Sequence, residues 1–294
     1  MAVYKRTYKA YSGPLTPAWS RFTVLSRYAL GTLFNSRLFT GYTVLCFLPF
    51  LVGLAFIYFV HSTTAQALLN IRIGPNALVD SRFFLILLGF ETTMCFPLAA
   101  IIGPGLITKD FANHAVQLYL SRPISRAGYL FGKTGVLAAL LSCTTLVPTL
   151  VLFFLQAQLQ GHGWIWQYFW LAGAIVLSCL LWIAVISLLS MAVAVWLKWR
   201  IAATILLFAF SILFPILGQI VSMILRTPWG HIIDFPTMMA IIWAHLFRIV
   251  PNNANASGIN TVPLWAAWAS LFSLCMFCFW LLNRKLRARE VERS

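Results

Sequence analysis

The chain has 294 residues, 61% of them hydrophobic, with 21 Lys and Arg against 6 Asp and Glu and a formal net charge of +15. Only 9% of residues are charged, where a soluble domain carries about 25%, and the mean hydropathy is +0.86. A soluble globular enzyme, a disordered chain and a coiled coil are excluded, and the repeated long apolar runs predict an all-α polytopic membrane protein.

Residues 1–37 hold no apolar stretch, so no cleavable signal peptide is expected and the first span acts as the insertion signal. Tyr4 to Pro17 is polar and punctuated by Gly13-Pro14, hence extended. From Pro17 a helix is predicted, with Trp19, Phe22, Leu25, Ala29 and Leu33 making an apolar stripe at three- and four-residue steps. Arg21 and Arg27 lie off that stripe. The pattern fits an interfacial helix on the inner leaflet, its arginines reaching lipid phosphates. Trp19, Arg21, Phe22 and Arg27 are the expected anchors. The chain thus divides into an arm, 1–37, and a six-span domain, 38–294.

The six spans are predicted at 38–60, 83–107, 134–155, 168–197, 201–225 and 264–282, each long enough to cross about 30 Å at 1.5 Å per residue. Pro49, Pro97, Pro148 and Pro215 fall inside four of them and are expected to kink rather than end them. Glu91 is the only acid within a span. A carboxylate there is expensive, so it is read as functional or protonated, with His61 or Arg82 as pairing candidates and a neutral packing role as the plain alternative. Gln219 in the fifth span is a weaker signal of the same kind. Both are candidate pathway residues.

The second–third connection, 108–133, reads TKDFANHAVQLYLSRPISRAGYLFGK. Asp110 is a predicted N-cap for a short helix through Leu120. Ser121-Arg122-Pro123 stops that helix, and Ser125 caps the next. A short helix held crosswise under the bilayer suits a protein that receives a push from a soluble partner. Gly128 to Thr134 is one residue short of a P-loop and follows no strand, so no nucleotide site is expected.

The fourth–fifth connection is Lys198-Trp199-Arg200, a tight hairpin. The fifth–sixth connection, 226–263, is apolar but broken by Asp234, Pro236, His245 and Arg248, which predicts a re-entrant or interfacial helix pair. The tryptophans Trp164, Trp166, Trp170, Trp243, Trp265 and Trp268 read mostly as interfacial belts. All six cysteines fall in spans, so no disulfide framework is expected, and Cys275-x-x-Cys278 lacks a second ligand pair for a metal.

Basic residues fix sidedness. The arm, the 108–133 segment, the fourth–fifth connection and the tail, 284–294, hold 17 of the 21 Lys and Arg. Both termini are therefore expected in the cytoplasm. The charge is a statement of topology and not of nucleic-acid binding.

The string Leu120-Ser121-Arg122-Pro123-Ile124-Ser125-Arg126, followed by Tyr129-Leu130 and Gly132-Lys133, resembles the corresponding loop of type-2 ABC transporter permeases. The arm residues Tyr11-Ser12-Gly13-Pro14-Leu15, Trp19, Arg21-Phe22 and Arg27-Tyr28 are similar to one subset of that family. The resemblance implies an ATP-driven exporter in the bacterial cytoplasmic membrane, with two permease copies and a pair of ABC ATPase subunits. It implies that Asp110, His114, Tyr119, Ser121, Arg122, Pro123, Ser125 and Arg126 couple to the ATPase, and that 226–263 lids the path. ATP and magnesium would sit on the partner, with no cofactor on this chain and no catalysis by it. A periplasmic accessory protein is a further candidate partner. A secondary transporter or channel is the alternative, but internal repeats and multiple intramembrane charges are absent. A membrane enzyme is a third class, and no paired nucleophile and base assemble from the sequence.

Overall fold

A computed structural model describes residues 30–31, 34, 36–62, 79–112, 126–197, 199–249 and 262–291. Among these the helices are α1 (Arg37–Leu45), α2 (Leu48–His61), α3 (Ser81–Ala112), α4 (Arg126–Leu141), α5 (Val147–Gln160), α6 (His162–Trp196), α7 (Arg200–Leu225), α8 (Phe235–Leu246) and α9 (Leu264–Val291). A π-turn, Ser142–Leu146, joins α4 to α5, and a 3₁₀ helix, Pro228–Ile233, precedes α8. Six candidate spans result: Phe39–His61, Ser81–Thr108, Gly128–Gln160, Gly163–Trp196, Arg200–Leu225 and Leu264–Lys285. The protein is an all-α, multi-pass membrane protein, as expected, because only helices satisfy their own backbone in hydrocarbon without a closed barrel.

The fourth span, α6, is the hub. It packs against α3, α4, α5, α7, α8 and α9, and it is apolar on every side, the pattern of a helix surrounded by others. The first, fifth and sixth spans lie outside it and leave most of their surface uncovered. The Gly161 turn, the end of α7 and the start of α9 share one end of the bundle. The α6–α7 turn at Arg200, the end of α3 and the start of α4 share the other.

Prolines shape the spans in three ways. Pro49 sits at the start of α2, and the first span breaks at Cys46 and Phe47 just before it, so here proline ends one helix and begins another. Pro148 follows the π-turn, where the Val147 N–H reaches Ser142 O, five residues back. The missing proline N–H and the ring's clash with Thr144 O favour that wider turn. Pro97, Pro104 and Pro215 lie inside helices that continue through them.

The π-turn also sets the phase of the third span. Its buried residues come in pairs four apart: Val136 and Leu137, Leu140 and Leu141, Thr144 and Thr145, Pro148 and Thr149, Leu152 and Phe153, Gln156 and Ala157. In a plain α-helix a four-residue repeat drifts by about 40° at each step. One extra residue at the π-turn takes back about 100° of that drift, which keeps the seam toward the bundle.

Two further expectations need correction. Asp110 does not cap a new helix: α3 continues through Ala112, so Asp110 lies in its last turn. No breaker stands between Gly105 and Ala112, and an N-cap needs a non-helical backbone. Among the described residues α4 begins at Arg126, in keeping with the helix expected to run from Ser125 into the third span, and Lys133 is buried within it, 7% exposed. Trp243 is buried in α8 rather than placed in an aromatic belt.

Candidate functional site

The interfacial anchors Trp19, Arg21, Phe22 and Arg27 lie outside the described residues, as do His114, Tyr119, Ser121, Arg122, Pro123 and Ser125. Two helices deliver the ends of that second segment, α3 at Ala112 and α4 at Arg126. Residues 128–134 belong to α4, so they form no phosphate-cradling loop.

α3 is gripped near this end by α7. Pro104 has no N–H, so it leaves Ala100 O, four residues back, without its helical donor. Thr204 Oγ1 of α7 donates to Ala100 O at 3.0 Å. Arg200 donates through Nη2 to Ile101 O at 3.4 Å. One turn along, Gly103 lets α6 approach: a β-carbon there would meet Ser190 Oγ at 2.5 Å. The lower part of α3 is therefore locked to both α6 and α7.

Glu91 lies at mid-span in α3 and is 0% exposed. Thr149 Oγ1 of α5 donates to Glu91 Oε2 at 2.5 Å and also lies 2.7 Å from Thr145 O. His61 and Arg82 are not its partners among the described contacts. The Glu91 Oε1 atom has no partner among the described residues. Around this pair, Cys95 Sγ donates to Thr144 Oγ1 at 3.4 Å, Thr145 Oγ1 donates to Leu141 O at 2.9 Å, and Tyr42 Oη donates to Met94 O at 3.0 Å. The result is a polar seam where the break in the first span, α3, the π-turn and α6 meet. Hydroxyls and thiols at such a seam act as interhelical glue, at about 0.6 kcal/mol per bond in membranes. The Glu91 carboxyl is thus sealed from the surface of the single chain and tied to α5.

Gln219 sits differently. It is exposed on α7 among Ile212, Leu213, Ile216, Ile220 and Met223. Its neighbour Gly218 points the other way, against the segment between the last two spans. There α7 ends at Arg226 in a left-handed conformation (φ 49°), and the 3₁₀ helix folds back along α7. Gly230 meets Gly218 so closely that a β-carbon on Gly230 would lie 2.6 Å from Ser222 N and 2.8 Å from Gly218 O. Gly218 is seven residues before the end of α7, so the hairpin tip reaches about 10 Å inward.

Asp234 caps α8 at that tip. It is 1% exposed and accepts from the Thr237 N–H at 3.2 Å and from the Thr237 hydroxyl. Sequence reading treated Asp234 only as an interruption. The signal was present in Asp234-Phe235-Pro236-Thr237, an N-cap followed by proline in the first turn. α8 then packs Phe235, Met238, Met239 and Ile242 inward. A cleft of about 340 Å³ opens between α7, the hairpin tip and α9, lined in part by Phe210, Phe214, Phe235, Ser270 and Phe277. Gln156 of α5 was also missed: it is fully buried, and its amide has no partner among the described residues.

A family model described as ABC-2 family transporter protein matches residues 30–285. No curated protein matches the chain.

Proposed function

The chain belongs to the ABC-2 family of transporter proteins, as a membrane permease of an ABC transporter, and from that premise we propose that it is the permease half of an exporter driven by a separate ATPase. The observation that carries this reading is the family match, which spans all six membrane helices and the long segments 108–133 and 226–263 between them.

In this reading the Arg200 end of the bundle is cytoplasmic, in a bacterial inner membrane, because most Lys and Arg map to that end. The segment 108–133 docks on the ATPase through Asp110, His114, Tyr119, Ser121, Arg122, Pro123, Ser125 and Arg126. ATP and its magnesium ion are held by the partner chains. Closure of the ATPase pair pushes on the end of α3 and the start of α4. The grip of Thr204 and Arg200 on α3 passes that push to α7, and Ser190 against Gly103 passes it to α6.

Two copies form the pathway between their uncovered faces. The fifth span supports this: beyond Arg200 at its start, its outward face is apolar except for Gln219. A lone amide facing lipid is unfavourable, so a second copy or a hydrated path at Gln219 resolves it. The hairpin between the last two spans lids the outer end. Purification in mild detergent with identification of the accompanying chains tests the proposal. A P-loop ATPase should accompany the protein; transport by the chain alone, with no ATPase, would sink it.

A further inference from the structure

We propose that the groove between α5 and α6 at the Gly161 end holds one phospholipid, its acyl chain along the helices and its phosphate at Arg248. The groove measures about 490 Å³ and is walled by Leu150 and Phe154 of α5 and by Phe169, Trp170, Val176 and Leu180 of α6. Its floor is Gly173, where an added β-carbon would meet nothing within 4 Å. From Phe169 to Leu180 the groove follows α6 for about 16 Å, half of a hydrocarbon core about 30 Å thick. It therefore matches one leaflet, the depth of one acyl chain.

The aromatic end of the groove marks the interface. Trp164 stacks on Tyr168 at 4.8 Å, and Trp166 is 85% exposed just above the groove, which is where amphipathic rings settle at headgroup level. Arg248 arrives at this level from a different element. Its guanidinium lies 4.4 Å from the centre of the Trp170 ring, so one aromatic residue is both groove wall and seat for the cation. A guanidinium stacked on a ring keeps its N–H edge free for a phosphate. Arg248 is exposed, and no described carboxylate or carbonyl takes its donors.

The backbone at Arg248 points the same way. The Arg248 N–H bonds His245 O at 3.0 Å and the Ile249 N–H bonds Ala244 O at 2.9 Å, the paired bonds of a Schellman motif closing α8. The left-handed position of that motif ordinarily holds glycine. Here it holds arginine at φ 53°, so a strained residue is kept where its cation overhangs an apolar groove. Charge at the rim and one leaflet of apolar wall together fit a phospholipid.

The test uses the full chain purified in mild detergent, with phosphatidylglycerol or diacylglycerol added and bound lipid counted by native mass spectrometry. Wild type should retain one tightly held phosphatidylglycerol per chain and prefer it over diacylglycerol by about tenfold, the scale of one charge-assisted bond. Gly173→Phe places its β-carbon in open space, fills the floor with its ring and should abolish that lipid. Arg248→Gly suits the left-handed backbone and should keep the fold while erasing the headgroup preference. Arg248→Lys should restore part of it. Glycerol phosphate, which brings the phosphate without a chain, should not compete. Retention unchanged in both Gly173→Phe and Arg248→Gly would overturn the proposal, as would equal retention of the two lipids by wild type. None of these readouts depends on ATP or on the transport reading.

Discussion

Thr204 of α7 donates its hydroxyl to Ala100 O of α3 at 3.0 Å, replacing the donor that Pro104 cannot supply. The contact joins the second and fifth spans close to the segment 108–133, and under the proposed coupling it also carries the push from α3 to α7.

Replacing Thr204 with Val should lower stability by about 1 kcal/mol, the worth of one such hydrogen bond. In a Pro104→Ala background the helix supplies its own N–H, and the same substitution should cost little. A double-mutant cycle by thermal unfolding in detergent checks this. Equal losses in both backgrounds would mean that the proline-freed carbonyl is not what Thr204 serves.

Glu91 and Thr149 make the second test. Glu91→Gln can still bond the Thr149 hydroxyl and should keep both stability and transport close to wild type. Thr149→Val leaves a buried carboxyl without its partner and should cost about 1–3 kcal/mol. Adding Glu91→Leu to Thr149→Val should recover part of that loss. Loss of transport in Glu91→Gln with stability unchanged would return Glu91 to the pathway.

How much of this was legible in sequence depended on range. Six spans, the tight turn at Lys198-Trp199-Arg200 and the helices after Arg226 follow from apolar run length and from charge, which are local. The role of each proline did not. Pro49 and Pro148 look alike in sequence, yet one accompanies a break and the other a π-turn, because neighbouring helices decide where a freed carbonyl finds a donor. Glu91 was visible as an anomaly, but its partner is 58 residues away. Asp110 misled because a good capping residue says nothing when the preceding helix has no reason to stop. Gly218 and Gly230 carry no signal alone, and their meaning is the contact between them.

Gly230 gives the third prediction. A β-carbon there meets backbone atoms of α7, which cannot rotate away. Gly230→Ala should push the 3₁₀ helix off α7 and destabilise by about 1–3 kcal/mol. Ser222→Ala should not relieve it, since Ser222 N and Gly218 O remain in place. Thermal unfolding with and without Ser222→Ala reads the difference.

Gln219 gives the fourth. Its side chain lies on the uncovered face of α7, so Gln219→Leu should leave the stability of the single chain unchanged, within about 0.5 kcal/mol. Under the proposed two-copy pathway it should reduce transport or alter pairing of the copies. Wild-type transport and wild-type pairing together would place Gln219 against lipid alone.

The most direct test of the central claim is ATP hydrolysis by the permease assembled with its ATPase in lipid, comparing wild type with Arg122→Glu and Arg126→Glu. The account predicts hydrolysis by the wild-type assembly that rises with transport, and a loss of that coupling in both variants while each still folds and inserts. Full coupling in both variants, or transport by the chain in vesicles without any ATPase, would contradict it.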